Sequence, residues 1–261
     1  MQNIQFIPGA IDAGGCVSNA WNMLKQNYGV YLGIAVIALV LTGCIPCLNL
    51  FIMGPVIGGV YYVVLRDMRR EAVDFGMMFK GFEKFVPLMV IGLIQAIPGV
   101  IAQVLRFTID LGQLGLSRGK PGEFQFFQSS GNDVALASGL AIVAAVVAII
   151  FVIIALVWWA VMFFAIPLAM EHDLGPVEAI KLSARAATSN FGGLIVLLIF
   201  QILVMLVGLL MLCVGAFLIS IPVIYLANAF AYRQVFPLIE QNFNMAPPPP
   251  NAYGSGFGSG I

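Results

Sequence analysis

Lys25 and Arg66 bracket 40 residues without a single Asp, Glu, Lys or Arg. That gap constrains the fold more than any motif. An ionised side chain at the bilayer centre costs about 3 kcal/mol or more, so membrane spans fall between charges. About 20 apolar helical residues cross the hydrocarbon core, and this interval holds two such spans with a turn at Ile45-Pro46-Cys47. Lys84 to Arg106 encloses one span. Asp133 to Glu171 encloses a run that is apolar from about Leu140 to Met170, too short for two spans and a turn and without a Gly/Pro cluster. It reads as one long tilted helix. Arg185 to Arg233 encloses 47 residues and two more spans, for six transmembrane helices in all.

Composition agrees. Apolar residues make up 61% of the chain and charged residues 9%, against roughly half and a quarter in an average soluble domain. So little charge cannot cover a surface in water, which leaves lipid as the solvent. Twelve basic residues balance twelve acidic ones, and with no global field nucleic acid is not an expected partner. The first 25 residues contain neither a basic n-region nor a continuous apolar h-region, so the first span itself is expected to direct insertion.

Orientation follows from Lys and Arg, which are enriched in cytoplasmic loops. With both termini inside, Lys25, Arg66, Arg69, Arg70, Lys80, Lys84, Lys181, Arg185 and Arg233 lie on the cytoplasmic side, and Arg106, Arg118 and Lys120 opposite. The expected location is the bacterial inner (cytoplasmic) membrane, multi-pass, with N- and C-termini cytoplasmic.

Three segments carry apolar residues at helical spacing just before a span and read as amphipathic helices at the membrane interface. Their stripes are Val17, Ala20, Trp21, Leu24 and Tyr28; then Phe75, Met78, Phe79, Phe82 and Phe85; then Val177, Ile180, Ala184 and Ala187. Asp173 to Pro176 supplies turn and helix-start chemistry before the third, with Pro176 suited to a first helical position. The chain therefore divides into an N-terminal segment with an interfacial helix (1–27), a six-span membrane domain (28–236) and a Pro/Gly/Ser-rich tail expected to be disordered (237–261).

The first and last hairpins show a faint internal repeat. Asn27-Tyr28-Gly29 is echoed by Asn190-Phe191-Gly192, and Pro55 precedes Arg66 by the same eleven residues that separate Pro222 from Arg233. Between these landmarks the second copy is four residues longer, about one helical turn.

No group of residues stands out as catalytic, cofactor-binding or metal-ligating. Gly54-Pro55-Val56-Ile57-Gly58-Gly59 places small residues four apart, a face that lets another helix approach closely. Pro55 and Pro222 interrupt two spans, and interrupted helices line substrate sites in some transporters. A permease or transporter subunit with a site between them is the alternative reading. No ionisable acid, base or histidine falls within a predicted span core, which speaks against ion coupling. Thr42, Asn49, Gln95, Gln103, Gln201, Ser220 and Asn228 give scattered neutral polarity, expected to serve interhelical hydrogen bonds. Cys44-Ile45-Pro46-Cys47 has dithiol spacing, and a membrane thiol oxidoreductase using Cys44 and Cys47 is a minor alternative. No basic residue is near to activate a thiolate, and small apolar packing is the plainer role. Glu171-His172-Asp173 includes the chain's one histidine. It reads as solvated loop charge, with a mixed carboxylate and imidazole metal site as the sharper option.

Gly54-Pro55-Val56-Ile57-Gly58-Gly59, Arg69-Arg70-Glu71, Phe79-Lys80-Gly81-Phe82 and Glu178-Ala179-Ile180-Lys181-Leu182-Ser183 ahead of Asn190-Phe191 resemble stretches of bacterial multi-span families of unknown function. Those families are related to the membrane domain of glycerophosphoryl diester phosphodiesterases. The resemblance covers most of residues 15–236 and implies a helical membrane domain without catalytic residues. The expected function is a non-enzymatic membrane component in a lipid-contact, scaffold or assembly role. Its partners would be the lipid bilayer and either another membrane protein or a second copy, with no cofactor.

Overall fold

Asp12 starts the first helix: its carboxylate accepts a hydrogen bond from the Gly15 amide at 3.1 Å, satisfying a donor that a helix N-terminus leaves open. Helix α1 (Ala13–Gln26) ends at Asn27, where the chain turns through 100° into α2 (Tyr28–Gly43). The computed structural model describes residues 4–43, 46–117, 131–211 and 215–238. Among these, every regular element is helical. After α2 come α3 (Pro46–Met68), a 3₁₀ segment (Phe75–Phe82), α4 (Phe85–Ser117), α5 (Gly131–Met162), α6 (Ala165–His172), α7 (Pro176–Ser189), α8 (Phe191–Leu210), a π-helical segment (Ala216–Ser220) and α9 (Ile221–Val235). The all-α membrane bundle read from the sequence is the observed class.

Among the described residues, five stretches are long and apolar enough to cross a membrane: Asn49–Met68, Phe85–Thr108, Ala145–His172, Phe191–Leu210 and Ala216–Val235. Helix α2, at 16 residues, spans only about 24 Å. It makes a sixth crossing only when joined to α1 through the bend. The long apolar run is one span, as expected, with an interruption between α5 and α6. Ser183 on α7 repairs that interruption. Its Oγ accepts from the Phe164 amide at 3.1 Å and donates to the Val161 carbonyl at 2.6 Å, pairing backbone groups that lipid could not satisfy.

All three amphipathic segments form, and Pro176 occupies the first turn of α7 as expected. Two details differ. The middle segment is 3₁₀ rather than α, and the faces turned inward carry the small residues. Ala13, Cys16 and Ala20 of α1, and Ala179, Ser183, Ala186 and Ala187 of α7, are buried, while Trp21, Tyr28, Phe75, Phe79 and Val177 are exposed. Small side chains let these elements lie close on the bundle, with Met23, Leu24 and Met78 as larger anchors in the core, and the exposed bulky ones face the surrounding lipid.

The repeat has a structural counterpart. Helices α1 and α7 each have 14 residues, and each ends at an asparagine (φ −124° at Asn27, −121° at Asn190) whose amide donates back into the preceding helix. The four extra residues of the second copy lie in its first span, since α8 has 20 residues and α2 has 16.

Lys84 pairs with Asp173, and Arg69 and Arg233 both reach Glu171. The ends of α3, α6 and α9 and the start of α4 thus gather at one end of the bundle, here termed the basic end. The tail from residue 239, including Pro247 to Pro250, lies outside the described residues.

Candidate functional site

Helix α3 can sit deep in the bundle because its glycines carry no side chain. A Cβ on Gly54 would collide with the Leu88 carbonyl of α4, and one on Gly59 with the Met78 carbonyl of the 3₁₀ segment. Gly81 in turn lies against the backbone of Pro55 and Gly59. The packing role read from the Gly54–Gly59 stretch is therefore the observed one, extended to backbone-to-backbone contact on two neighbours.

The two proline helices lie together and border two cavities. The first, about 280 Å³, is a groove between α2, α3 and α9. Its walls are almost wholly apolar, among them Ile34, Ala38, Val56, Val60, Pro222 and Leu226. Leu39, Met53 and Phe217 on its lining are also exposed on the outer surface, so the groove opens toward lipid. Thr42 and Asn49 lie toward one end and Tyr31 toward the other. The Tyr31 hydroxyl donates to Asp67 Oδ2, and Asn27 Nδ2 donates to both oxygens of the same carboxylate at 3.0 and 3.1 Å. Asp67 thereby fastens the α1–α2 corner to the end of α3.

The second cavity, about 380 Å³, lies on the other side of the same pair, between α3, α4, α5, α6, α8 and α9. Gln95, Gln201, Asn228, Tyr61 and Tyr225 supply its polar lining; Trp159, Phe163 and three methionines supply much of the rest. Gln201 Nε2 donates to Asn228 Oδ1 at 2.6 Å across α8 and α9. Gln201 and Asn228 thus form the interhelical bond expected of the neutral polar residues, and with Gln95 they are gathered rather than scattered. Thr42 instead donates within its own helix to the Ala38 carbonyl, and Ser220 donates to the Val204 carbonyl.

At the basic end, Glu171 departs from the solvated charge expected of it. Its side chain is only 7% exposed. It accepts from Arg233 at 2.5 and 3.0 Å, from Arg69 at 2.7 Å and from the Tyr232 hydroxyl at 2.6 Å. The Arg233 fork, a single N–H from Arg69 and a phenol occupy both carboxylate oxygens, the arrangement in which a buried charge is tolerable. Asp173, by contrast, is 81% exposed and pairs with Lys84, and His172 Nε2 stays 3.8 Å from Glu171. The three residues therefore do not converge on one point as a mixed metal site would need. Among the described residues no three His, Cys, Asp or Glu side chains cluster closely enough to hold a metal ion.

Cys16 is buried in α1 against α9, its Sγ 3.3 Å from Gln234 Oε1. Burial, helped by the Asp12 carboxylate, pushes its thiol pKa up to about 12, the opposite of an activated cysteine. Cys44, Cys213 and the side chain of Cys47 lie outside the described residues, and the dithiol reading with them.

Two signals in the sequence went unused. Gln95 and Gln201 each sit ten residues into their spans, hence at one depth. Glu171 closes an apolar run just where the ends of other spans bring arginines.

The chain is similar to proteins of mycobacteria. Uncharacterized protein Rv2560 of Mycobacterium tuberculosis and Uncharacterized protein Mb2590 of Mycobacterium bovis are each 33% identical to it over 127 residues. The match covers 48% of this chain and 39% of either relative. No family model matches, so the likeness to the phosphodiesterase membrane domain gains no support. No solved structure matches. The chain is a multi-span helical membrane protein with bacterial relatives.

Proposed function

We propose that this protein is a non-enzymatic membrane component that holds the acyl chain of a lipid in the groove between α2, α3 and α9. One observation carries the reading: an almost wholly apolar groove beside both proline helices opens through Leu39, Met53 and Phe217 onto the lipid-facing surface. From Tyr31 to Thr42 the groove follows twelve residues of α2, about 16 Å of helix from first to last. An acyl chain entering it exchanges one apolar environment for another, so retention depends on fit and dispersion contacts rather than on the hydrophobic effect.

Native mass spectrometry from lipid nanodiscs tests this. The unaltered protein should retain lipid, and Leu39→Trp, which fills the groove, should release it, while Val152→Trp on the exposed face of α5 should not. Equal retention by all three proteins would defeat the proposal. Solute flux through reconstituted protein, abolished by Pro55→Ala and Pro222→Ala, would favour the permease alternative instead. We further assign both termini to the cytoplasm, from the gathering of nine of the twelve Lys and Arg at one end. Single cysteines at Arg118 and Lys181 should then label from opposite sides of the membrane.

A further inference from the structure

The larger cavity has a combination of features that the groove lacks. Phe85 to Gln95 and Phe191 to Gln201 are each ten residues, about 15 Å of helix. That is half of a hydrocarbon core about 30 Å thick, so both carboxamides lie at mid-membrane depth. There they meet Asn228 and the phenols of Tyr61 and Tyr225, whose rings are 6.2 Å apart at 79°. No ionisable carboxylate, amine, guanidinium or imidazole contributes to the lining.

Within the bundle, the Gln201–Asn228 bond uses one donor and one acceptor of two carboxamides. Each carboxamide offers two donors and two lone pairs, and even with a further bond between Asn228 and Tyr61 part of this capacity stays unused on residues that line the cavity. Among the described residues, the Gln95 amide makes no hydrogen bond to another side chain or to the backbone. Polar groups left open at this depth cannot turn to bulk water.

Access is lateral. Helix α8 packs on α1, α9 and the π-helical segment and only lightly on α7, whereas α4 lies along α3, and α4 and α5 pack on each other and on α6 and α7. The cavity occupies the space between these two groups. At the basic end it is stoppered by aromatic side chains. Phe163 on its wall meets Phe164 edge-on at 4.8 Å, Phe164 packs on Tyr232, and the Tyr232 hydroxyl is held by Glu171.

We propose that this mid-membrane chamber binds an uncharged, membrane-dissolved molecule whose head group carries carbonyl or hydroxyl oxygens, taken up sideways from the bilayer. The carboxamides and phenols donate to those oxygens, and Trp159, Phe163 and the methionines surround the apolar part. An ionised phospholipid head is excluded, because it would arrive at mid-depth with no countercharge on any wall. This chamber adjoins the groove across Met53, Ile57, Ile221 and Tyr225, which line both, but Gln95, Gln201, Met205 and Asn228 line the chamber alone, and neither reading depends on the other.

The test uses the full chain in nanodiscs containing a photoreactive diacylglycerol, which has two ester carbonyls and one hydroxyl, or a photoreactive phosphatidylglycerol, which is anionic. Adduct sites are then mapped by mass spectrometry. Diacylglycerol should label the chamber walls around Met205 and Ile224, and phosphatidylglycerol should not. Gln201→Leu with Asn228→Leu removes both members of a hydrogen-bonded pair and keeps their bulk, a change that costs a fold little. It should reduce chamber labelling about tenfold, the worth of roughly one good hydrogen bond. Met205→Trp fills the space without touching a polar group and should reduce labelling as well, while adducts in the groove persist in both variants. Equal chamber labelling by the two lipids, labelling indifferent to both variants, or no chamber labelling by diacylglycerol would each overturn the proposal.

Discussion

The spans of α3 and α9 are 56% and 50% buried, whereas those of α4, α5–α6 and α8 are only 17%, 17% and 22% buried. The less buried three are also the more hydropathic. In a soluble protein the most apolar helix sits at the centre; here the order is inverted, because lipid is at least as apolar as the interior and takes the helices that have nothing else to offer. The inner pair is made from residues that allow close approach or specific bonding: glycines, prolines, tyrosines, Asn228 and the arginines at its basic end.

That contrast is easiest to break at Gly59. Leucine there must displace the Met78 backbone, so Gly59→Leu should leave no monodisperse protein in detergent. Ile153→Ala, on the exposed face of α5, should elute and melt like the unaltered chain. A folded Gly59→Leu protein would show that α3 does not pack as described.

Glu171→Ala comes next. Arg233 is only 14% exposed, and it would keep its charge while losing its partner, a change that costs about 3 kcal/mol at a buried pair. A thermal melt should report a clear drop. Glu171→Gln should fall in between, since an amide oxygen can still accept two of the four bonds now made to the carboxylate. Loss of the same size in a variant of Asp173, which is exposed, would dissolve the distinction between the two acids.

The smallest effect is chemical. In a chain whose other cysteines are replaced by serine, Cys16 should resist maleimide at pH 8 and react once the protein is unfolded. A pKa raised to about 12 leaves the native thiol almost wholly protonated until the pH approaches that value. Ordinary reactivity at pH 8 would mean that α1 does not stay on α9.

Much of the fold was legible because charge cannot enter lipid: the gaps between charges located the spans, and helical spacing located the segments between them. The single span running through α5 and α6 followed from its length and the lack of a Gly/Pro cluster within it. What escaped was everything that depends on which residues meet. Gln95, Gln201 and Asn228 sit on three different helices, and periodicity within each says nothing of their common destination. Glu171 looked like loop charge because its partners lie 102 and 62 positions away. The inward faces of α1 and α7 could not be told from their lipid-facing sides, because an interfacial helix has apolar residues on both, while close packing on a bundle selects small ones.

The elements at the basic end have a consequence for the membrane itself. Helix α1 turns 100° from α2, and exposed Trp21, Tyr28, Phe75, Phe79 and Val177 extend from the short segments there. Aromatic and amphipathic segments of this kind lodge at the headgroup boundary. Among the described residues these segments gather at one end of the bundle, so they occupy area in the leaflet on that side. The protein is thus expected to be wider on one side of the bilayer and to concentrate where the membrane already curves to accommodate it.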